Sequence, residues 1–157
     1  MLKAMKSVAF TGTRDGMSPA QRTLVEKLLV EIAPSSVVHG DCVGADADFH
    51  DIAKGLGLTV YVYPGSIDEQ RAHCEGAVAV SEPMWPTDRN PLIVEAAEVL
   101  IACPSGRKEL RRGSGTWATV RHARRIGRRH LMVYPDGGVD YVGFTDADAP
   151  FIDESSS

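Results

Sequence analysis

Short apolar runs alternate with segments of helical periodicity along most of this chain of 157 residues. Short apolar runs bounded by glycine, proline or serine are typical of buried strands. They lie at 7–12, 35–40, 58–65, 99–104 and 130–137. Because such an alternation is typical of βαβ units, the sequence predicts a single α/β domain whose mainly parallel central sheet is flanked by helices.

Helix boundaries are marked between these runs. The Ser18-Pro19 pair suits an N-cap followed by proline at the first helical position, and the helix that it begins is expected to reach about Ile32. A second helix is predicted within 44–57. The last one is expected to begin at about Gly115.

The segment between the third and fourth strands is ambiguous. Residues 66–77 have a helical composition, whereas 83–88 have the proline and aspartate content of a loop. Asp88 is a candidate N-cap for a helix through Leu92, with Pro91 restricted to its first turn.

Composition excludes several classes of protein. A hydrophobic share of 43% with 24% charged residues is ordinary for a soluble globular protein, and no apolar run has membrane-spanning length. The apolar part of the N-terminal stretch is too short for a secretory signal. Cys42, Cys74 and Cys103 lack CxxC spacing, which argues against a disulfide framework or a structural zinc site. We therefore expect a cytoplasmic protein with no membrane partner, no metal and no cofactor.

Charge is distributed unevenly along the chain. From Asp136 onward there are six acidic residues and no lysine or arginine, so we predict a domain over 1–137 and an acidic tail over 138–157 whose end is mobile. Between 105 and 130 the sequence has nine basic residues and a single acidic one, Glu109. This local excess favours an anionic ligand or partner.

Three strand exits carry unusual turns: TGTRDG after the first strand, HGDCVGAD after the second and PSGRKELRRGSGT after the fourth. The carboxyl ends of parallel strands share one edge of a sheet, where ligands bind. Glycine lets backbone N–H groups approach phosphate oxygens, and a helix that begins at the GSGT turn adds its positive dipole end. A carboxylate such as Asp46 can accept hydrogen bonds from a ribose or a base. We therefore predict a nucleotide site.

The ligand-binding residues divide by turn. The first turn is expected to contact one end of the ligand, the second the ribose region and the third the phosphate, with Arg111 or Arg112 closing over it. In chain order they are Gly12, Thr13, Arg14, Gly40, Gly44, Asp46, Gly113, Ser114, Gly115 and Thr116. A salt bridge from Arg14 to Asp15 remains an alternative for that arginine.

FTGTRDG, HGDCVGADADFHDIAKGLG, DRNPLIVEAAEVLIACP and GSGTWATVRHA, in this order, resemble the SLOG superfamily of Rossmann-like proteins. The resemblance spans roughly 7–135. That superfamily includes DNA-processing protein A, the LOG nucleotide hydrolases and YspA-like proteins, and the opening GTR with the Arg89-Asn90 pair is most similar to the last group. The resemblance implies a Rossmann-like domain, nucleotide binding with Arg89 supplying positive charge beside Asn90, and self-association.

The LOG hydrolases cleave an N-glycosidic bond with an arginine and a glutamate, the latter in a PGGxGTxxE motif. Arg89 stands where their arginine would be, fifteen residues before Pro104. Thr119 replaces the glutamate, and a threonine offers no carboxylate to position water or stabilise positive charge. Glu95 or Glu82 are possible substitutes, although no spacing demands them. The resemblance therefore favours a binding or sensor module over a LOG-like phosphoribohydrolase and leaves open whether the chain is an enzyme.

Other features have two interpretations each. Arg121, Arg125 and Arg128 form a basic stripe that would suit single-stranded DNA, although the net charge of −4 makes nucleic acid a weaker partner than a nucleotide. His39, Asp41, Asp46 and His50 can be drawn as a metal cluster but suit ordinary helix-terminus and surface roles as well.

Single side chains leave similar choices. Trp85 is a candidate for base stacking, and Trp117 is expected in the core. Cys42 is either a thiolate beside a helix N-terminus or an inert semi-buried cysteine.

Overall fold

The computed structural model describes residues 5–147. Seven strands form one sheet in the order β4-β3-β2-β1-β5-β6-β7. The elements in chain order are β1 Ser7–Gly12, α1 Pro19–Ile32, β2 Ser36–His39, α2 Ala45–Gly55, β3 Thr59–Val62, a short 3-10 helix Asp68–Gln70, β4 Ala79–Val80, α3 Pro86–Glu95, β5 Val99–Cys103, α4 Gly115–Arg125, β6 Arg129–Val133 and β7 Val139–Val142. All pairings are parallel except that of β6 with β7. The predicted α/β class and the mainly parallel sheet are confirmed.

Alternate strand residues pack against different helices, which gives the molecule three layers. Phe10 and Ile101 lie in a core with residues of α1 and α2. Ala9 and Leu100, one position away on the same strands, lie in a second core with residues of α3 and α4. Successive strand residues point to opposite faces of the sheet, so α1 and α2 cover one face while α3 and α4 cover the other.

Helix α1 begins as predicted and is tied to the edge of the sheet where the site lies. Ser18 is its N-cap and forms a capping box with Gln21. The side-chain amide of Gln21 is buried and donates bonds of 2.9 Å to the carbonyls of Pro104 and Val133. The start of α1 is thereby fixed to the exits of β5 and β6.

The segment 66–78 forms only the 3-10 helix despite its helical composition. Apart from the short-range bonds from the N–H groups of Gln70 and Arg71 to the carbonyls of Ile67 and Asp68, its backbone groups bond to distant residues. The N–H of Val43 donates to the carbonyl of Gln70 over 2.9 Å, and the N–H of Ala72 donates to the carbonyl of Asp41 over 2.7 Å. These tertiary bonds override local propensity and hold the segment against the turn between β2 and α2.

Helix α3 corrects two expectations. It begins at Pro86, inside the predicted loop, with Trp85 as its N-cap in place of Asp88. Proline is well suited to this first position because its missing N–H has no helical partner there. Pro91 lies in the interior of the helix and not in its first turn.

Strand β7 extends the sheet beyond the domain boundary predicted after residue 137. It pairs antiparallel with β6, matching Leu131 to Tyr141. The predicted boundary therefore falls in the turn of a hairpin, and Val139–Val142 belong to the sheet and not to a tail. The expected mobile end lies outside the described residues. Within 5–147, no helix combines the length and apolar character needed to span a bilayer.

Candidate functional site

A cavity of about 330 Å³ opens at the carboxyl edge of the sheet, where β1, β2 and β5 end. Its lining comes from the three predicted turns and from α3. Eleven of the predicted site residues contribute to it, namely Gly12, Thr13, Arg14, Gly40, Asp46, Arg89, Asn90, Gly113, Ser114, Gly115 and Thr116. Residues as far apart in the chain as Gly12 and Thr116 are therefore brought together around one space.

Gly44 is the predicted residue that does not line the cavity. Its φ is 88°, and a Cβ there would lie 2.2 Å from the carbonyl oxygen of Arg14. The adjacent N–H of Ala45 donates to the carbonyl of Thr13 over 2.9 Å. Gly44 thus allows the 13–16 turn to pack on the N-terminus of α2, and it shapes the wall of the cavity from behind.

Asp46 holds the turn after β2. Its Oδ2 accepts bonds from the N–H groups of Gly40, at 3.2 Å, and Cys42, at 3.0 Å. Burial raises the pKa of this carboxyl to about 6, while those two N–H groups and nearby Arg89 oppose the rise. A buried carboxyl that lines the cavity can accept hydrogen bonds from ligand hydroxyls when ionised and can donate one when protonated.

Arg89 is buried, with 4% of its surface exposed, and most of its donors are used by the protein. Nη1 donates to the carbonyls of Gly40 at 2.7 Å and Tyr63 at 3.2 Å. Nε donates to Oδ1 of Asn90 at 2.8 Å, and Nη2 lies 3.5 Å from Sγ of Cys42. The guanidinium brings positive charge to the cavity and also joins β2, β3 and α3.

The N-terminus of α4 faces the cavity with free donors. The hydroxyl of Ser114 accepts a bond from the N–H of Trp117 at 3.2 Å and caps the helix. The N–H groups of Gly115 and Thr116 donate no hydrogen bond anywhere in the described part of the chain. With the dipole of the helix behind them, they form an N-terminal position that suits an anion.

Arg14 is the exposed cation of the lining. Within residues 5–147 its side chain has no hydrogen bond or ion pair, because the side chain of Asp15 interacts with the hydroxyl of Thr13 instead. The alternative of an Arg14–Asp15 salt bridge is therefore wrong, and Arg14 is free to meet a ligand.

The loop 105–113 forms one side of the cavity through Ser105, Leu110 and Gly113. Glu109 fixes it to α4 with bonds to Arg121 at 3.3 Å and Arg124 at 2.6 Å. Arg111 and Arg112 are exposed and do not line the cavity. Their predicted closure over the ligand would require the loop to move.

Thr119, which replaces the LOG glutamate, is buried and lies outside the lining. Its hydroxyl donates to the carbonyl of Gly115 at 2.7 Å, one helical turn back. Glu95 lies 3.4 Å from His122, and neither it nor Glu82 contributes to the cavity. Asp15 and Asp46 are the carboxylates that do.

Sequence reasoning missed the apolar and thiol parts of the lining. Phe10, Ile93 and Leu110 give the cavity an apolar surface, and Cys42 adds a thiol. Leu110, a lone apolar residue in a basic loop, was the available signal. Burial raises the pKa of Cys42 to about 11, which favours the inert semi-buried cysteine over the thiolate at neutral pH.

The histidines proposed for a metal cluster are already hydrogen bonded. Nε2 of His50 lies 2.6 Å from the carbonyl of Glu75 and must donate to it, so Nδ1 of His50 accepts from Nε2 of His39 at 2.9 Å. Nδ1 of His39 in turn accepts from the N–H of Asp41 at 2.9 Å. Cys74 completes a group whose ligand atoms lie within 4.8 Å of one another. A metal there would have to break this continuous chain of bonds.

The features proposed for nucleic-acid binding separate in the structure. Trp117 is buried in the core as expected, and Trp85 is 65% exposed but does not line the cavity. Arg121 bonds to Glu109, and Arg128 bonds to the carbonyls at the end of α3. Two of the three arginines in the predicted stripe are therefore engaged with the protein itself.

The chain matches no protein-family model, and no curated protein matches it. Several solved structures are similar to it. The molybdenum cofactor binding protein of Rippkaea orientalis superposes with a TM-score of 0.64 at 16% identity, over 85% of this chain and 78% of that one. The protein TM1055 gives a TM-score of 0.57 at 18% identity, over 80% and 72%.

DNA processing protein A of Streptococcus pneumoniae gives a TM-score of 0.60 at 20% identity, over 82% of this chain and 50% of that one. At such low identities the likeness concerns the fold, and it agrees with the resemblance that the four motifs carry. The chain therefore has the Rossmann-like α/β fold that these three structures share.

Proposed function

We propose that the cavity binds a nucleotide or a nucleotide-derived ligand and that the protein acts as a binding or sensor module. The phosphate would lie at the N-terminus of α4, on the N–H groups of Gly115 and Thr116. The sugar would lie toward Asp46, and Arg14 would contact one end of the ligand. A volume of about 330 Å³ is within the range of small-molecule sites.

One observation carries the proposal: three glycine-containing turns from separate strands converge on a single cavity at the carboxyl edge of the sheet. Free N–H groups, an unpaired arginine and a buried carboxyl all line this cavity. A ligand that suits them combines an anionic group with hydroxyl groups. A nucleotide has both, and its base would meet the apolar side chains Phe10, Ile93 and Leu110.

Hydrolysis of an N-glycosidic bond is a weaker alternative. Thr119 is buried behind the helix N-terminus, so it cannot reach a substrate in the cavity. A phosphoribohydrolase would have to use Asp15 or Asp46 in place of the glutamate. Single-stranded DNA binding is weaker still, because Arg121 and Arg128 bond to the protein.

The location and assembly of the protein extend the proposal. Cys42, Cys74 and Cys103 are free thiols, which suits a reducing compartment such as the cytoplasm. Self-association follows from the resemblance, and sedimentation velocity over a range of protein concentrations tests it.

Thermal denaturation with a panel of ligands tests the proposed function. The panel contains 5′-nucleoside monophosphates, the matching nucleosides and a dinucleotide. At equal concentrations, a ligand that binds only the folded chain raises Tm more the more tightly it binds, so at least one nucleotide is expected to raise Tm more than its nucleoside does.

Two glycine variants locate the binding. Gly115→Val places bulk at the start of α4, where a Cβ lies 3.7 Å from Nδ2 of Asn90, and is expected to remove most of the ligand-dependent shift. Gly106→Val is the matched control, because a Cβ there meets no atom within 4 Å and residue 106 does not line the cavity. Equal shifts in both variants would place the site elsewhere. If chromatography shows that free base is released from the bound nucleotide, the protein is a hydrolase and not a sensor.

A further inference from the structure

Arg89 and Asn90 are neighbours in α3, and both line the cavity. Nε of Arg89 donates to the side chain of Asn90 over 2.8 Å. A guanidinium has donors and no acceptor, so the atom that it meets must be the amide oxygen. This bond fixes the orientation of the Asn90 amide and directs its NH₂ group away from Arg89.

The NH₂ group of Asn90 lies beside the start of α4. A Cβ built on Gly115 would lie 3.7 Å from Nδ2 of Asn90. Across residues 5–147, Nδ2 donates no hydrogen bond, and neither do the N–H groups of Gly115 and Thr116. Three free donors therefore come from two helices at one end of the cavity.

Thr116 gives a second, independent indication of a ligand at this place. Only 6% of its surface is exposed, and it lines the cavity. Its hydroxyl has no hydrogen-bond partner among the described residues, and it is not one of the fully buried atoms that lack one. The residue is thus nearly buried while its unpartnered hydroxyl stays accessible, which leaves that hydroxyl available to a ligand in the cavity.

Most N–H donors of Arg89 are already used within the protein and are not available to a ligand. Of its five N–H donors, two on Nη1 meet the carbonyls of Gly40 and Tyr63, and that on Nε meets Asn90. One on Nη2 points to Sγ of Cys42. The side chain is held by the protein in an orientation that serves its neighbour.

We infer that Asn90 is the side chain that contacts the anionic group of the ligand, together with the N–H groups and the hydroxyl at the start of α4, and that Arg89 is a positioning residue that acts through Asn90. The inference rests on the proposed function and assigns roles within the same site. The anion that suits this set of neutral donors is a phosphate monoester, whose oxygens accept hydrogen bonds from several directions.

Inorganic phosphate is the probe, and NMR is the first measurement. The side-chain amide signals of Asn90 are assigned by their loss in Asn90→Asp. Millimolar phosphate is expected to shift these signals together with the backbone amides of Gly115 and Thr116. A titration in which none of the three responds overturns the inference.

Substitutions then compare affinities for phosphate. Asn90→Asp keeps the acceptor for Arg89 but replaces the NH₂ donor by a charged oxygen, and is expected to weaken binding at least about tenfold. Thr87→Asp is the matched control, since it adds the same charge at an exposed position of α3 outside the lining. Equal affinities of Asn90→Asp and Thr87→Asp would overturn the role of Asn90.

A double-mutant cycle tests the role of Arg89. Arg89→Lys retains the positive charge but loses the planar fork that orients Asn90. If Arg89 acts through Asn90, Arg89→Lys weakens phosphate binding as Asn90→Ala does, and the double variant is no weaker than Asn90→Ala alone. Additive losses would show that Arg89 contributes independently of Asn90, and unchanged binding by Arg89→Lys would show that only the charge of residue 89 matters; either result overturns the positioning role. Urea unfolding of each variant without phosphate confirms that it is folded.

The two proposals fail in different ways. If phosphate shifts the NMR signals of Asn90 but no nucleotide raises Tm, the anion contact stands and the proposal of a nucleotide ligand is rejected. A nucleotide shift that Asn90→Asp leaves unchanged would sustain the nucleotide site and reject the role of Asn90.

Discussion

Nη1 of Arg89 donates a hydrogen bond of 2.7 Å to the carbonyl oxygen of Gly40, a residue 49 positions away in the chain. A Cβ at residue 40 would lie 2.5 Å from that same nitrogen. The glycine after β2 and the arginine of α3 therefore depend on each other: only a residue without a side chain lets the guanidinium approach. This contact joins two of the segments that surround the cavity.

Gly40→Ala is expected to lower the free energy of unfolding by about 1–3 kcal/mol, because the new methyl group would displace a buried guanidinium and break its bonds. Urea denaturation measures the loss. Gly106→Ala is the control, since a Cβ there meets nothing within 4 Å. Equal stability of the two variants would mean that Arg89 moves aside at little cost.

Gly44→Ala is expected to be more damaging, by about 2–4 kcal/mol, because it combines a positive φ of 88° with a Cβ only 2.2 Å from the carbonyl oxygen of Arg14. Gly57→Ala has a similar φ of 74° and no atom within 4 Å of its Cβ. It is expected to cost about 1 kcal/mol from the backbone alone. Thermal or urea unfolding of both variants isolates the steric part, and losses of the same size would contradict the close approach.

His39 predicts a pH dependence of stability. Burial, with His50 beside it, lowers the pKa of His39 from 6.5 to about 3. As the pH falls through 6.5 the unfolded chain takes up a proton at this residue, whereas the folded chain does not until about pH 3. The contribution of His39 to the free energy of unfolding is therefore present above pH 6.5 and falls as the pH falls across this window.

Comparison of wild type with His39→Gln between pH 4.5 and 7.5 measures this contribution. The wild type is expected to lose up to about 3 kcal/mol more than the variant over that interval. The raised pKa of Asp46, about 6, makes the free energy of unfolding change with pH in the opposite direction. Because Asp46 is present in both proteins, its effect cancels when the two pH profiles are subtracted. Identical pH profiles would contradict the buried neutral imidazole.

Cys42 is expected to react slowly with iodoacetamide, because burial raises the pKa of its thiol to about 11 and the thiolate is the reactive form. In a Cys74→Ser variant, with Cys103 buried, alkylation at neutral pH should be on the order of a hundredfold slower than that of free cysteine. Intact-mass spectrometry follows the reaction. Alkylation as fast as that of free cysteine would indicate an activated thiolate in the cavity.

Local chemistry predicted several elements correctly. Ser18 and Pro19 mark the start of α1, because an N-cap hydroxyl and a proline at the first position act within a few residues. Pro86 has the same favourable place in α3, yet the surrounding prolines and Asp88 suggested a loop. For the segment 66–78 the error is the opposite one: its composition indicates a helix, but its backbone bonds to the turn after β2 instead.

The site shows the same division. Gly12, Gly40 and Gly115 were placed at the cavity because strand ends and glycine turns are visible in the sequence, and parallel strands bring their carboxyl ends to one edge. Gly44 has the same local appearance but lies behind the wall, against the backbone of Arg14. No local pattern distinguishes a glycine that faces a ligand from one that faces another loop.

The sequence by itself determined the layered α/β fold and the edge of the sheet where the turns meet, because the periodicity of apolar residues and the chemistry of turns act over short distances along the chain. Only the tertiary structure decided which polar groups are used by the protein and which remain free. Arg89 is occupied by Gly40 and Tyr63, while Nδ2 of Asn90 and the N–H of Thr116 have no partner within 5–147. Those assignments depend on contacts between residues far apart in sequence, which form only when the chain has folded.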